Sequence, residues 1–512
     1  MGFESIIYRE GHGDTVLDGK LDLFKDLALD DIFTAIKGYI QDAEIESILH
    51  MPLKSEDDIK YRQEIFRDLS NSSVYNGIKS FSNSADTLQY NIGKLNEMGS
   101  VQRNRWFLDS AYLYCNSIMS LLKCLGGDTI KSHGLNNFNE YLKSYIESDA
   151  FKLLIKESSD SERVIESVRY MITIRGTRIT VRRDGESDDF GDQAIKIFGR
   201  FLDGDLCDFS TNNSYSTGHV ENALVELTSR LYPDQFSIID SFFVNHQNFI
   251  DPVIQRFMHE IKFYLKYITY MQRFTNKKLN FCIPEIVSSD DEFYSRDSYD
   301  LALAGKLLNN ARVPVTNSFY IKYDSRIILV TGPNNGGKTT FARVFGQVYY
   351  LASLGMPVPG SSARLQIPDN IYTHFEKTES VENPVGRLEE ALIRFHSILE
   401  IATSKSVIII NEMLSSTTLK DGIEIGKKII ENLKEIGCVA LYVTFIHELA
   451  SIQGVKSYVA QININDPGKR TYKVVPQKSN GIAYAHALAE KYGLSYEELT
   501  RRINNENISE QH

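Results

Sequence analysis

The run TGPNNGGKTT, residues 331–340, follows directly on Ile327-Ile328-Leu329-Val330 and fits G-x-x-x-x-G-K-[ST] with Gly332, Gly337, Lys338 and Thr339. An apolar strand that delivers a glycine-rich turn into a helix builds a phosphate cradle. The backbone N–H groups of the turn point at anionic oxygens, and the helix adds the positive end of its dipole. On this reading Gly332, Pro333, Asn334, Asn335, Gly336, Gly337, Lys338, Thr339 and Thr340 form a P-loop that binds ATP. Lys338 is expected to neutralise the β- and γ-phosphates, and Thr339 to offer its hydroxyl to Mg²⁺. A plain glycine-rich turn between a core strand and a helix would share part of this pattern. The adjacent Lys-Thr pair and the helical spacing from Phe341 onward favour the nucleotide site.

Around this run, three continuous apolar stretches alternate with helical patterns: IILV at 327–330, VIIIN at 407–411 and CVALYVT at 438–444. Strands without polar alternation belong to a parallel sheet covered on both faces, so residues 311–512 read as an α/β P-loop ATPase domain. The second phosphate-chemistry element is expected at a strand end carrying acidic residues, and Asn411-Glu412 fits. Glu412 takes the role of catalytic base that orients the attacking water, and Asn411 that of a Mg²⁺ ligand. An amide ligates without negative charge, so Mg²⁺ binding is expected to be weaker than with a carboxylate.

Residues from about 20 to 150 carry few prolines and many helix-period apolar positions, such as Leu23, Leu27, Ile32, Phe33 and Ile36, and read as predominantly helical, within a mainly α-helical region 1–310. YMITIRGTRITVRR, residues 170–183, switches to period two on either side of Gly176-Thr177, which indicates a β-hairpin near 168–184. The stripe Ile254, Phe257, Met258, Ile261, Leu265 and Ile268 marks a long helix that Pro252 can open. The chain is therefore expected to be multidomain, a helical region with a hairpin followed by the α/β domain.

With 512 residues, 42% hydrophobic and 24% charged, the composition is that of an ordinary globular protein, and the formal charge of −11 excludes a uniformly basic coat. Cys115, Cys124, Cys207, Cys282 and Cys438 lack metal spacing and read as reduced thiols. No export signal and no apolar run long enough for a membrane span are present, so a cytoplasmic protein without membrane association is expected.

Region 311–500 resembles the ATPase domain of the MutS family, the ABC-like ATPases of DNA mismatch repair. The resemblance lies in TGPNNGGKTTFARVFGQVYYLASLGMPVPG, in ARLQIPDNIYTHFE at 363–376, in SILEIATSKSVIIINEM and in AYAHALAEKYGLSYEELTRRI at 483–503. Upstream, MPLKSEDDIKYRQEIFRDL at 51–69 is similar to the family's lever region, which makes 1–310 a core, lever and clamp-like region. The resemblance implies two composite ATP sites at a homodimer interface and clamp-like opening and closing on DNA. Its Asp-Glu and Gly-Arg-Gly-Thr-Ser elements are replaced by Asn411-Glu412 and a Met413–Thr418 turn, and its Thr-His sensor by Thr444-Phe445. Ser416, Thr417, His447, Gly386 and Arg387 are then the candidates for trans or sensor contacts.

The family's mismatch wedge is not matched by Phe3-Glu4, and no nuclease-like segment follows the last helices, so neither mismatch reading nor strand cleavage is expected. Duplex or branched DNA, bound without sequence preference, is the expected partner. Arg175, Arg178, Arg182 and Arg183 on the hairpin are candidate phosphate contacts. A solvated ribbon with paired charges is the alternative for the hairpin. For the whole chain the alternative is a nucleotide-gated dimeric scaffold that hydrolyses little ATP and recruits a protein. An ABC transporter subunit is disfavoured, because no LSGGQ-like signature is present.

Overall fold

In the computed structural model the described residues are 3–9, 21–38, 43–127, 129–175, 178–183, 219–287, 292–376, 386–414, 417–463, 470–478, 496 and 499–500. The chain opens with α1 (Leu21–Asp26), α2 (Leu29–Lys37), α3 (Ala43–His50) and α4 (Glu56–Asp68). Leu29, Ile32, Phe33 and Ile36 form the buried face of α2, as their spacing requires.

A first compact unit comprises residues 1–3, 68–131 and 135–258. It contains α5 (Ser72–Lys94), α6 (Ser100–Leu125), most of α7 (His133–Glu147) and α8 (Asp149–Glu166). The hairpin strands β1 (Tyr170–Arg175) and β2 (Arg178–Arg183) follow, then α9 (His219–Leu231) and α10 (Pro233–Asn245). Asn71 and Ser148 cap α5 and α8 by accepting from Ser73 N and Phe151 N. Aromatic packing supplies much of the core, with Phe138 stacked on Phe257 at 3.7 Å and Phe107 edge-on to Phe249 at 5.2 Å. α11 (Pro252–Thr275) starts at the proline expected to open it.

The second unit comprises residues 4–67, 132–134 and 259–512. Its smaller elements are β3 (Phe281–Cys282), β4 (Glu285–Ile286), β5 (Phe293–Ser298), α12 (Leu301–Leu308) and β6 (Asn317–Ile321). Then come β7 (Ile327–Thr331), α13 (Lys338–Ser353), β8 (Val358–Pro359), β9 (Ser362–Leu365) and β10 (Ile371–Phe375). The last are α14 (Arg387–Ile401), β11 (Val407–Asn411), α15 (Leu419–Ile436), β12 (Val439–Val443), β13 (Val455–Ile462) and β14 (Arg470–Pro476).

The main sheet has the order β10-β11-β12-β7-β13-β14, all neighbours parallel except the β13–β14 pair. All five residues of β7, of β11 and of β12 are buried, which is why these strands read as uninterrupted apolar runs. Ile408 and Ile410 point to a cluster with Phe395 of α14 and Ile430 and Leu433 of α15. Ile409 faces the other way, onto α13 at Gly346. Helices thus cover both faces.

Residues 4–67 and 259–310 belong to the same compact unit as the main sheet. Phe24 and Phe33 pack on Tyr350 of α13 at 5.6 and 5.9 Å, Tyr350 donates to Leu49 O, and Tyr267 donates to Pro357 O at 2.6 Å. Periodicity identifies helices but not their packing partners. Burial pushes the thiols of Cys115, Cys282 and Cys438 up to about 12, as inert reduced cysteines require. Cys207 lies outside the described residues. No described helix is long and apolar enough to cross a membrane.

Candidate functional site

β7 ends at the buried Thr331, and the chain turns through Gly332 (φ +126°) and Asn335 (φ +60°) to Gly337 (φ +94°), the residue before α13. A side chain at Gly332 would stand 2.9 Å from the Ala460 Cβ of β13, so sterics and backbone angle both require glycine there. Gly336 N donates to Pro333 O at 3.2 Å, closing the turn. Lys338 is the first residue of α13, and its side chain folds back over the loop. Its Nζ donates to Gly332 O at 3.1 Å, Pro333 O at 3.2 Å and Asn334 Oδ1 at 3.3 Å. The same ammonium lies 3.3 Å from Glu412 Oε1, with its side chain 3% exposed.

The parallel register aligns Val330, Val443, Asn411 and Phe375, so the loops after β7, β12, β11 and β10 open on one edge of the sheet. This carboxyl edge is where open α/β sheets receive ligands. Glu412 has φ +56°, an uncommon angle for a residue with a Cβ, and its N–H is held by Val443 O at 3.0 Å. The Asn411 side chain is buried, and its Oδ1 accepts no hydrogen bond from the described residues. A buried amide oxygen without a donor suits a cation or a bound water. No cluster of three or more His, Cys, Asp or Glu suited to a metal occurs among the described residues. A divalent cation here would depend on neutral oxygens such as Thr339 Oγ1 and Asn411 Oδ1, together with oxygens of its ligand.

A cavity of about 810 Å³ is lined by two groups of residues. Asn334, Asn335, Gly337, Lys338, Thr339, Thr340 and Glu412 come from the glycine-rich loop, the start of α13 and the end of β11; Leu303, Leu307, Arg312, Val313, Pro314, Val315, Asn317 and Tyr472 make up the second group. This second group is not marked by any motif in the sequence, since it comes from α12, the segment between α12 and β6, β6 itself and β14. Asn411, Thr417, His447 and Gly386 are not among the lining residues. His447 opens a 3-10 turn, His447–Ser451, and Phe445 is 38% exposed after β12. Thr418 caps α15 by accepting from Asp421 N and donating to its carboxylate at 2.7 Å. Gly386 is the N-cap of α14 and Arg387 its first residue; the Arg387 side chain and Ser416 lie outside the described residues.

The hairpin lies in the other unit, with Arg175 paired to Arg178 and Tyr170 to Arg183. Arg183 is committed within the protein, donating from Nε to Leu231 O at 2.8 Å and sitting over the Tyr232 ring at 5.0 Å. Arg182 is exposed, as are Tyr170, Met171 and Ile172. The side chains of Arg175 and Arg178 are outside the description.

Residues 328–500 match the family model of MutS domain V. Among similar proteins, DNA mismatch repair protein msh-2 of Neurospora crassa is 37% identical over 27% of this chain and 15% of its own length. DNA mismatch repair protein MutS of Carboxydothermus hydrogenoformans is 32% identical over 36% of this chain and 23% of its own. That of Orientia tsutsugamushi is 27% identical over 43% and 25%. The chain thus matches a quarter or less of the length of these relatives.

Proposed function

The chain belongs to the MutS family through the domain V of residues 328–500, and from this premise we propose that it is an ATP-dependent DNA-binding ATPase whose nucleotide site is the cavity at the carboxyl edge of the main sheet. The observation that carries the proposal is the convergence of the glycine-rich loop, Lys338, Thr339 and Glu412 on that one cavity. Gly332, Pro333, Asn334, Asn335, Gly336, Gly337 and Thr340 frame the phosphates, with backbone N–H groups and the α13 dipole as donors. Lys338 leaves the loop carbonyls for the β- and γ-phosphates. Glu412, released from Lys338, accepts the proton of the attacking water. Mg²⁺, when bound with the nucleotide, would offset phosphate charge, and we assign Thr339 and Asn411 to holding it.

In this proposal two copies of the chain complete each other's sites, with Gly386, Arg387, Ser416, Thr417 and His447 as the residues offered across or above the nucleotide. Binding and hydrolysis alternate the dimer between closed and open clamps on duplex or branched DNA, without mismatch reading, in the cytoplasm. Arg182, with Arg175 and Arg178, supplies sequence-independent phosphate contacts; Arg183 is assigned to holding the hairpin instead.

The test is steady-state ATP hydrolysis by the full chain, alone and with single-stranded, duplex and four-way branched DNA, with Lys338→Ala as blank. Stimulation over that blank by duplex or branched DNA is expected; a rate equal to the blank under every condition overturns active turnover.

A second reading, a nucleotide-gated scaffold that recruits a protein and turns over little, is favoured by Lys338 being held by three loop oxygens and by Glu412. Asn411→Asp separates the two. A site limited by its amide ligand should gain about tenfold in Mg²⁺ affinity, the usual scale of a ligand-shell change, and hydrolyse faster at limiting Mg²⁺. Unchanged Mg²⁺ dependence would remove Asn411 from the metal shell.

A further inference from the structure

We propose that Gln347 is a positioning residue for nucleotide binding: its buried amide fixes α12, which lines the cavity, and the α1–α2 corner against the helix that begins at Lys338. The inference rests on the nucleotide reading above and extends it from the residues that line the cavity to one that sets where they stand.

Gln347 is fully buried in the stretch 344–352 of α13, whose other members are aliphatic, aromatic or glycine. It lies about two and a half turns beyond Lys338 and is not among the residues lining the cavity. An unpaired amide in such surroundings is costly, so its partners identify its role. Its Nε2 donates to Leu27 O at 2.8 Å and to Asp300 Oδ1 at 2.9 Å, and its Oε1 accepts from Leu301 N at 2.8 Å. Both donors and the carbonyl are thus engaged with segments far from α13 in the chain.

α12 has only eight residues, a length at which a helix depends on tertiary anchors. Its first-turn N–H groups have no partner within the helix. Gln347 takes that of Leu301, and the Asp300 side chain takes that of Leu303 at 3.1 Å. Burial raises the pKa of the Asp300 carboxyl, and the hydrogen bond from Gln347 opposes that rise, so the same amide keeps the cap ionised. Leu303 and Leu307, about one turn apart on α12, both line the cavity. Moving the start of α12 therefore moves two of the apolar groups that meet a ligand there.

The α1–α2 corner is tied to α13 at the same place. Gln347 holds Leu27 O, and Arg343 Nε donates to Asp26 O at 3.1 Å. The Leu27 side chain rests on Gly346, where a Cβ would stand 2.4 Å from its Cδ2. Ala28, the next residue, has φ +55°, a conformation that a residue with a Cβ keeps when its surroundings enforce it. Lys306 of α12 meets Asp31 of α2 at 2.6 Å. Since α12 and the corner share one anchor, a ligand that orders the first orders the second as well.

The experiment uses the full chain and reads equilibrium MgATP affinity, binding stoichiometry and backbone amide exchange. Q347M keeps the side-chain volume and removes all three hydrogen bonds. It should weaken MgATP by about fivefold or more, the scale of coupling between a remote group and a site, and retain the wild-type stoichiometry. Without nucleotide it should speed exchange of the α12 amides by about tenfold. D300A removes the cap and the acceptor of Gln347; it should weaken MgATP to a similar extent, and the double variant should lose little more than either single one. In the wild type, MgATP should slow exchange in α12 and in residues 26–31 together.

The proposal is overturned if Q347M or D300A binds MgATP like the wild type, or if stoichiometry falls while affinity holds, as a merely structural role requires. Protection of α12 by MgATP without protection of residues 26–31 overturns it too, and this wild-type measurement decides alone if neither variant folds. If the wild-type chain does not bind MgATP, the nucleotide reading fails and this inference with it, whereas every other outcome tests Gln347 itself.

Discussion

Glu412→Gln should lower the steady-state rate of ATP hydrolysis by about 10²- to 10⁴-fold, the range contributed by a positioned general base, and should also tighten the binding of ADP. The first effect follows from the proposed role: glutamine keeps the shape of the side chain but cannot take a proton from water. The second follows from the ion pair. Glu412 Oε1 lies 3.3 Å from a Lys338 ammonium whose side chain is 3% exposed, so the carboxylate competes with phosphate for the one cation of the loop. Removing the charge frees Lys338 for its ligand. ADP makes the test clean, because it has no γ-phosphate to hydrolyse and any gain in affinity cannot come from arrested turnover. Single-turnover hydrolysis and ADP titration read the two effects separately. Wild-type turnover in the glutamine variant would transfer the role of base to another group, and an unchanged or weaker ADP affinity would show that the ion pair does not restrain loading.

Arg62→Ala should destabilise the second unit by roughly 3 to 5 kcal/mol, the combined scale of a large truncation in a core and of carbonyls left without donors. Arg62 is fully buried on α4; its Nε donates to Ile7 O at 2.9 Å and its Nη1 to Leu354 O at 3.0 Å. Its guanidinium also lies over the rings of Tyr8 at 5.2 Å and Phe263 at 5.8 Å. Burial lowers its pKa, which expresses the cost of holding a cation there; the two carbonyls and two rings offset that cost. Leu354 directly follows α13, the helix that begins at Lys338, so Arg62 fixes the far end of the helix whose near end frames the cavity. Arg62→Met, which restores volume but no donor, should recover only part of the loss. Urea unfolding followed by tyrosine fluorescence measures both; a midpoint within error of the wild type for Arg62→Ala would remove Arg62 from the supports of α13.

Much of the local structure is legible in the sequence. The apolar runs at 327–331, 407–411 and 439–443 announce strands buried on both faces, Pro252 announces the start of α11, and the alternation around Gly176-Thr177 announces the hairpin. Each is dictated within a few residues by backbone angle, proline geometry or side-chain period. The glycine-rich loop is legible for the same reason: Gly332 and Gly337 sit at angles that other residues avoid.

The remainder depends on contacts between distant segments. No periodicity shows that α1 to α4 belong with the main sheet, because that follows from Phe24 and Phe33 meeting Tyr350 and from Arg62 reaching Leu354. Nor does any motif mark Val313 to Val315 or Tyr472 as walls of the cavity. Tyr472 becomes one only because Asn317, 155 positions earlier in the chain, draws β14 against β6 beside Gly337. The sequence by itself determined the strands, the helix starts and the glycine-rich loop, since those are set by neighbours along the chain. Only the tertiary structure decided which helices join the sheet, which residues outside the loop line the cavity, and that Lys338 and Glu412 hold one another, because side-chain contacts form in space between residues that sequence order separates.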